Sequence, residues 1–305
     1  MNSIRRSIRN ALFRAERTVQ ADRSRLLAGQ IRAAQILNRG PLTKLSDAGF
    51  RVFSQTDEDG IISWLVDVLG ITNESFVEFG VHDFRESNAR YLLMTRNWKG
   101  LVIDGDPENI AAIHSDGLST MYDLEAIAQF VTRENIQTII DDAGMKGRLG
   151  LLSTDIDGVD YWVLERITSE ADIIAVEFND FLGDQPVTVP YSPSFSRFSA
   201  SPHGCYWGAS LAAFRYLLEG RGYRFVGTNK LGVNAFFAHS DHAEALRKNL
   251  GEFVHHPCRM REARDAKGRI AHKGYTAFVD DVAHLPIVRI DTNETLKLGQ
   301  VCRRR

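Results

Sequence analysis

Two short apolar runs, each ending in an acidic residue, stand out in the pattern of hydrophobic and polar positions. Residues 75–79 read Ser-Phe-Val-Glu-Phe and are followed by Gly80, and residues 101–104 read Leu-Val-Ile-Asp. Strands buried on both faces of a sheet give such runs, and the stretch 87–96 between them is predicted to be helical. The pattern predicts a β-α-β unit whose acids lie at the carboxyl ends of parallel strands, where doubly wound sheets bind ligands.

Further apolar runs extend this sheet. Residues 149–155 and 173–178 are continuous apolar runs, as central parallel strands require. Residues 223–228 and 233–238 predict two more strands, and the four residues between them suit a hairpin. The remaining predicted elements are helices at 57–69, 111–117, 207–220 and 241–250, a helix starting at 132, and strands within 124–131 and at 276–279. A parallel sheet that ends in an antiparallel hairpin strand is therefore expected.

The first part of the chain differs from the rest in charge. Residues 1–40 contain nine arginines against Glu16 and Asp22, a net of +7, whereas the 305-residue chain has a formal charge of −2. Their apolar residues recur at helical spacing, so we predict an amphipathic basic helix or helix pair. It would pack on the domain or a second subunit, or contact a membrane surface. The predicted organisation is a helical leader at 1–45, one α/β domain at 46–245, and an extension at 246–305 packed on that domain.

Composition narrows the class of protein. With 44% hydrophobic and 25% charged residues, the sequence is typical of soluble globular proteins. No apolar run approaches the roughly 20 residues that cross a bilayer. The cysteines, Cys205, Cys258 and Cys302, are odd in number and far apart, which argues against a disulfide framework and for a reducing compartment. We therefore expect a cytoplasmic protein, although the arginine-rich start could instead be a transit peptide. We expect no nucleic-acid partner. The sequence leaves a homo-oligomer possible.

The turn after the first strand indicates the kind of ligand. A dinucleotide site would need three glycines spaced G-x-G-x-x-G, but only Gly80 is present, and Glu78 stands two residues before it. An acid beside a tight turn suits a cationic ligand without phosphate. S-adenosylmethionine, which carries an ammonium and a sulfonium group, fits that description.

Several motifs together resemble the FkbM-type class I S-adenosylmethionine-dependent methyltransferases. The resemblance spans about residues 50–240 and is carried by Glu78-Phe-Gly80, by Trp98-Lys-Gly-Leu-Val-Ile-Asp104 and by Asp155-Ile-Asp157-Gly-Val-Asp-Tyr-Trp-Val-Leu164. It implies a Rossmann-like, doubly wound sheet, S-adenosylmethionine as cofactor, and O-methylation of a small hydroxylated acceptor such as a sugar or glycan precursor. The chain departs from the family after Gly80, where Val81 and His82 replace a second small residue.

The resemblance also assigns cofactor contacts. The residues expected to line the cofactor are Glu78, Gly80, His82, Asn88, Asp104 and Asp106. Asp104 would accept hydrogen bonds from the ribose hydroxyls, because an acid at the end of the second strand serves this purpose in related folds. Asp106 has a second interpretation as the cap of the helix that begins at Pro107.

Acidic residues also end the fourth and fifth strands. Asp155 and Asp157 follow one strand, and Glu177 and Asn179 follow the next. Their oxygens are ligands that Mg²⁺ prefers, and the arrangement resembles the metal site of catechol-type O-methyltransferases. In the metal-free alternative, Asp155 orients the substrate, Asp157 caps a helix and Glu177 pairs locally.

The long segment 179–206, rich in proline and aromatic residues, is predicted to be an ordered substrate lid. Within it, His203 is the candidate general base, since histidine titrates near neutral pH. Asp155 is the second catalytic candidate. Two other functions remain open from the sequence: a glycosyltransferase that uses Asp155 and Asp157 to hold a metal-bound nucleotide sugar, and a non-catalytic methyltransferase-like scaffold.

Overall fold

A seven-stranded sheet forms the centre of the computed structural model, which describes residues 21–261 and 263–302. The strands lie in the order β4-β3-β2-β5-β6-β9-β8, and β9 alone runs in the direction opposite to the other six. They are β2 (Ser75–Phe79), β3 (Lys99–Asp104), β4 (Leu124–Ala128), β5 (Leu149–Thr154), β6 (Ala171–Glu177), β8 (Tyr223–Thr228) and β9 (Asn234–His239). This is the predicted doubly wound α/β sheet with an antiparallel hairpin strand, the architecture of class I methyltransferases.

Helices cover the two faces of the sheet. Residues 21–37 form α1. The others are α2 (Glu58–Leu69), α3 (Arg90–Arg96), α4 (Pro107–Ser115), α5 (Leu118–Met121), α6 (Ile136–Asp142), α7 (Asp160–Arg166), α8 (Arg197–Ala200), α9 (Leu211–Glu219), α10 (Ala243–Asn249), α11 (Val279–Val282) and α12 (Leu298–Val301). Short 3-10 turns lie at Leu45–Ala48, Asp180–Leu182, Ser240–His242 and Tyr275–Phe278.

Two small sheets attach the ends of the chain to this body. Strand β1 (Leu42–Lys44) pairs in parallel with β10 (Leu250–Glu252). Strand β11 (Pro286–Arg289) lies between β12 (Glu294–Lys297) and β7 (Val187–Thr188), antiparallel to both. The chain after residue 245 therefore folds back onto the domain, where β11 pairs with the segment that precedes α8.

The apolar runs of the central strands are explained by burial on both faces. Along β2, Phe76 contributes to the apolar layer on one side of the sheet, and Val77 and Phe79 contribute to the other. The three side chains are completely buried. A strand in this position needs apolar residues at successive positions, which is why its sequence does not alternate with polar ones.

Some predicted elements differ from the structure. The strand expected at 276–279 is wrong: those residues belong to a 3-10 turn and to the start of α11. Helix α9 starts at Leu211, later than predicted, because Ser210 caps it by accepting a hydrogen bond from the Ala213 N–H at 3.1 Å. The predicted leader helix is described only from residue 21, so its first 20 residues lie outside the described part. Among the residues described, no helix has both the length and the hydropathy to cross a membrane.

The turn at Gly80 brings two strand ends into close contact. Gly80 has φ +82°, a conformation that L side chains rarely adopt, and its amide donates to the Ile103 carbonyl at 2.9 Å. A Cβ atom placed on it would lie 1.5 Å from the Asp155 carbonyl oxygen. Glycine is thus required here for two separate reasons, backbone conformation and space.

We predict that Gly80→Ala destabilises the protein by more than about 4 kcal/mol, because the backbone at the end of β5 has to move. Gly117→Ala is the matched control: Gly117 has φ +77° but no atom within 4 Å of its would-be Cβ. Its cost should stay near the roughly 1–3 kcal/mol of left-handed strain alone. Chemical denaturation of both variants measures the difference, and equal costs would refute the role of the close contact.

Candidate active site

A cavity of about 310 Å³ opens at the carboxyl ends of β2, β3, β5 and β6. Eight of the residues predicted from the sequence line it: Glu78, Gly80, His82, Asn88, Asp104, Asp155, Asp157 and Glu177. Three others do not, namely Asp106, Asn179 and His203. The strand-end acids are therefore brought together, whereas the amide and the imidazole expected beside them are not.

Glu78 holds the loop that forms one wall of the cavity. Its carboxylate is buried and accepts hydrogen bonds from the Ser87 hydroxyl at 2.6 Å, the Asn88 N–H at 2.8 Å and the Ala89 N–H at 3.0 Å. Burial raises the pKa of Glu78 to about 7, against the lowering effect of these three donors. The Asn88 side chain in turn donates to the Ser153 hydroxyl on β5 at 3.1 Å. Glu78 therefore sets the shape of the site next to Gly80.

Asp104 organises the second wall. Its oxygens accept hydrogen bonds from the N–H of His82 at 2.7 Å, the N–H of Asp106 at 2.9 Å and the side chain of Asn109 at 2.9 Å. His82 has φ +48°, so this contact keeps the loop after Gly80 in a strained conformation. Asp106 itself caps α4 by accepting from the Glu108 N–H at 2.9 Å. Asp106 therefore acts as the N-terminal cap of α4, the second of the two roles expected for it.

Three carboxylates meet at the ends of β5 and β6. One oxygen from each of Asp155, Asp157 and Glu177 lies within 4.8 Å of the others, a spacing that could hold a metal ion. Burial raises the pKa of both Asp155 and Glu177 well above the usual range, and the neighbouring acids raise it further. Glu177 Oε2 is buried and receives no hydrogen bond from a donor group in the described residues. A proton shared by Asp155 and Glu177, or a bound cation, would satisfy it.

Asp157 and Asn179 have partners of their own. Asp157 forms an ion pair with the buried guanidinium of Arg197, which also donates through Nε to the Gly204 carbonyl at 2.7 Å. Asn179 is buried, and its amide nitrogen donates to the carbonyls of Cys205 and Trp207, both at 3.0 Å. The Asn179 amide therefore holds the end of the lid segment in place and does not point toward the carboxylates.

His203 is held outside the cavity. Its ring stacks on Phe278 with 4.5 Å between centroids, and Nδ1 is 2.8 Å from the carbonyl oxygen of Arg264. Nε2 lies 3.7 Å from a carboxylate oxygen of Asp281. With both ring nitrogens facing the C-terminal segment, the general-base role remains a prediction that requires this segment to move.

The segment 179–206 forms one wall of the cavity and is held in place by contacts with the C-terminal part of the chain. Phe195 and Arg197 of this segment line the cavity. Behind them, Tyr206 donates to the Pro286 carbonyl, and the Ile290 N–H donates to the Pro186 carbonyl at 2.8 Å. The pairing of β7 with β11 adds to these contacts.

Several residues that line the cavity were not found from the sequence, and two of them bear on its chemistry. The ring of Phe130, 55% exposed, lies beside Gly105, two residues after the end of the edge strand β4. Asn234 is the cross-strand partner of Glu177 and is fixed by donating to the buried carboxylate of Glu58 at 3.0 Å. An aromatic residue after a weak edge strand could have indicated Phe130. Finding Asn234 requires the register between β6 and β9.

The cavity as a whole is acidic. Its lining contains six carboxyl groups, those of Glu78, Glu86, Asp104, Asp155, Asp157 and Glu177. The cationic side chain among the lining residues is Arg197, which is already paired with Asp157. Such a surface attracts cations and repels phosphate groups.

Comparison with known proteins finds distant structural similarity. No protein-family model and no curated protein matches the chain. The structural neighbours are S-adenosylmethionine-dependent methyltransferases. The N-terminal domain of EvdMO1, solved with S-adenosylhomocysteine bound, is 11% identical over 61% of this chain and 80% of that one, with a TM-score of 0.40. An S-adenosylmethionine-dependent methyltransferase from Clostridium acetobutylicum ATCC 824 is 9% identical over 60% and 90%, with a TM-score of 0.37. Because the sequence identities and TM-scores are this low, the assignment of the fold depends on the order of the strands in the sheet.

The buried acids predict a pH dependence of stability. A carboxyl whose pKa is higher in the folded than in the unfolded state binds its proton more tightly when folded. For Glu78, this stabilisation is complete below about pH 4.5 and is lost as the pH rises through about 7. We expect Glu78→Gln to flatten the fall in the free energy of unfolding across this window. Denaturant titrations between these pH values test this, with the exposed Glu252→Gln as control; an unchanged slope in Glu78→Gln would contradict the prediction.

Proposed function

We propose that this chain is an S-adenosylmethionine-dependent methyltransferase that methylates a hydroxyl group of a small acceptor, such as a sugar or glycan precursor. The observation that carries the proposal is the acidic cavity at the carboxyl ends of the parallel strands, shaped by Glu78, Gly80 and Asp104. The sequence motifs favour the FkbM-type group within this class.

The cofactor is assigned to the half of the cavity beside β2 and β3. Asp104 has one oxygen that accepts a single hydrogen bond, from His82, and can accept a ribose hydroxyl as well. Phe130 offers a free aromatic face for the adenine ring. The carboxylates around Gly80 favour the ammonium and sulfonium charges, and the cofactor supplies the electrophilic methyl group. Glu78 contributes by fixing the loop that borders the amino acid moiety.

The acceptor is assigned to the half beside β5, β6 and the wall 179–206. Most of the rate enhancement would come from holding the acceptor oxygen in line with the methyl group. Asp155 would take up the hydroxyl proton, since a carboxylate whose pKa is raised by burial is a stronger base than an exposed one. Glu177 would share that proton, and the ion pair with Arg197 would hold Asp157 in place.

Magnesium is the alternative occupant of the same carboxylates. Asp155, Asp157 and Glu177 are close enough to hold one ion, which would lower the pKa of the acceptor hydroxyl. The glycosyltransferase alternative uses the same ion to bind a nucleotide diphosphate. It has less support, because the Glu78–Gly80 turn, which shapes the cavity, has no role in that scheme.

We expect S-adenosylhomocysteine to bind in calorimetric titrations, and Phe130→Ala to weaken binding roughly tenfold. Loss of one base-stacking contact typically costs about 1–3 kcal/mol. Phe253→Ala is the control, because Phe253 is similarly exposed, at 46%, but does not line the cavity. Absence of binding by the wild-type protein at millimolar ligand would refute the cofactor assignment, and equal affinities for the two variants would refute the position of the adenine.

Asp155→Asn should lower turnover on a hydroxylated acceptor by roughly 10²–10⁴, the usual effect of losing a general base, and leave S-adenosylhomocysteine affinity near that of the wild type. Production of S-adenosylhomocysteine over a panel of sugars and glycosides is the assay. Activity lost in a chelator and restored by Mg²⁺ would assign the carboxylates to a metal. If His203→Ala shows the same loss together with a missing pH limb, the base is His203 instead.

A further inference from the structure

Helix α1 packs on the domain through one face only. Ile36 is 1% exposed in the core, and Leu26 packs against Val52 and Tyr91. Gly29 allows the close approach, since a Cβ on it would lie 2.6 Å from a methyl carbon of Val52. These contacts dock the helix on the body and fix which side of it faces outward.

The outward side is apolar to an unusual degree. Nine large apolar side chains are exposed within the described residues, and three of them, Leu27, Ile31 and Leu37, lie on this helix. Leu27 and Ile31 are four residues apart and thus neighbours on one face, which Ala34 continues. No described residue covers this face, because all three large side chains remain more than 40% exposed.

Positive charge accompanies the exposed apolar face. Arg23 stands four residues before Leu27 and therefore borders this face, whereas Arg25 and Arg32, seven residues apart, lie together on another side of the helix, and Arg25 pairs with Asp22 at 3.8 Å. The preceding 20 residues add five more arginines against Glu16. An exposed apolar face on a helix that also carries several arginines is a surface suited to the boundary between anionic headgroups and acyl chains. A second copy of this helix would instead bring like charges together.

We infer that α1 attaches this protein to the surface of an anionic lipid membrane. Leu27 and Ile31 would enter the acyl boundary, and the arginines would contact the negatively charged headgroups. The axis of the helix would lie parallel to the membrane surface. Its outward face would contact the membrane, and its opposite face would stay packed on the domain. This inference is independent of the chemistry proposed for the cavity.

Flotation of the full-length protein with lipid vesicles tests it. We expect binding to phosphatidylcholine vesicles that contain about 30% phosphatidylglycerol, and little binding to phosphatidylcholine alone. Salt at about 0.5 M should weaken it, because screening shortens the reach of the arginines. Leu27→Asp combined with Ile31→Asp should reduce binding roughly tenfold or more. The control Met121→Asp with Tyr216→Asp alters two exposed apolar side chains on other helices and should bind like the wild type.

Circular dichroism melting of both double variants establishes that they fold. Absence of wild-type binding to the anionic vesicles would overturn the inference, as would equal binding by Leu27→Asp/Ile31→Asp. Light scattering after gel filtration supplies the remaining arm: a dimer that Leu27→Asp/Ile31→Asp abolishes would show that a second copy covers the face, and this too would overturn it.

Discussion

The contact between the Gly80 turn and the carbonyl of Asp155 is the constraint on which the site depends. It requires the ends of β2 and β5 to meet without an intervening side chain. Because β2 is central, with β3 on one side and β5 on the other, this contact joins the part of the cavity shaped by Asp104 to the part that contains the carboxylates.

The buried acids fall into two groups that differ in their hydrogen bonds. Asp59 accepts from three successive backbone N–H groups, and Asp160 from those of Ile156 and Gly158, so each fixes a loop. Burial nevertheless raises the pKa of both to about 6. Asp155 and Glu177 are partly buried in the wall of the cavity and accept no backbone N–H among the described residues. Acids that fix no loop are the ones available for chemistry.

Much of the fold could be predicted because burial on both faces leaves a plain mark on a sequence. The runs around Val77 and Leu151 could hardly belong to exposed elements. The end of each apolar run in the sequence also marks the end of a strand. This placed Glu78, Asp104 and Asp155 at the carboxyl ends of their strands. The strand expected at 276–279 failed because a short apolar stretch does not distinguish a strand from a turn of helix.

Side-chain direction in the segments beyond the strands could not be predicted in the same way. Asn179 lies only two residues after Glu177, but its amide is drawn to the carbonyls of Cys205 and Trp207. His203 is drawn likewise to Arg264, more than 60 residues later. Asn234, which does line the cavity, follows from a strand register that no local pattern contains. Contacts between distant parts of the chain decide these positions.

The return of the C-terminal segment to the wall 179–206 has a consequence for how this protein can vary. A chain ending near residue 245 would keep every strand of the large sheet, and with it Glu78, Gly80 and Asp104, which line the cavity. It would lose β11 and the partners of Tyr206 and His203, which hold the wall 179–206 in place. Substitutions at residues 264–290 could therefore change the shape of the cavity through this wall, although none of these residues lines the cavity.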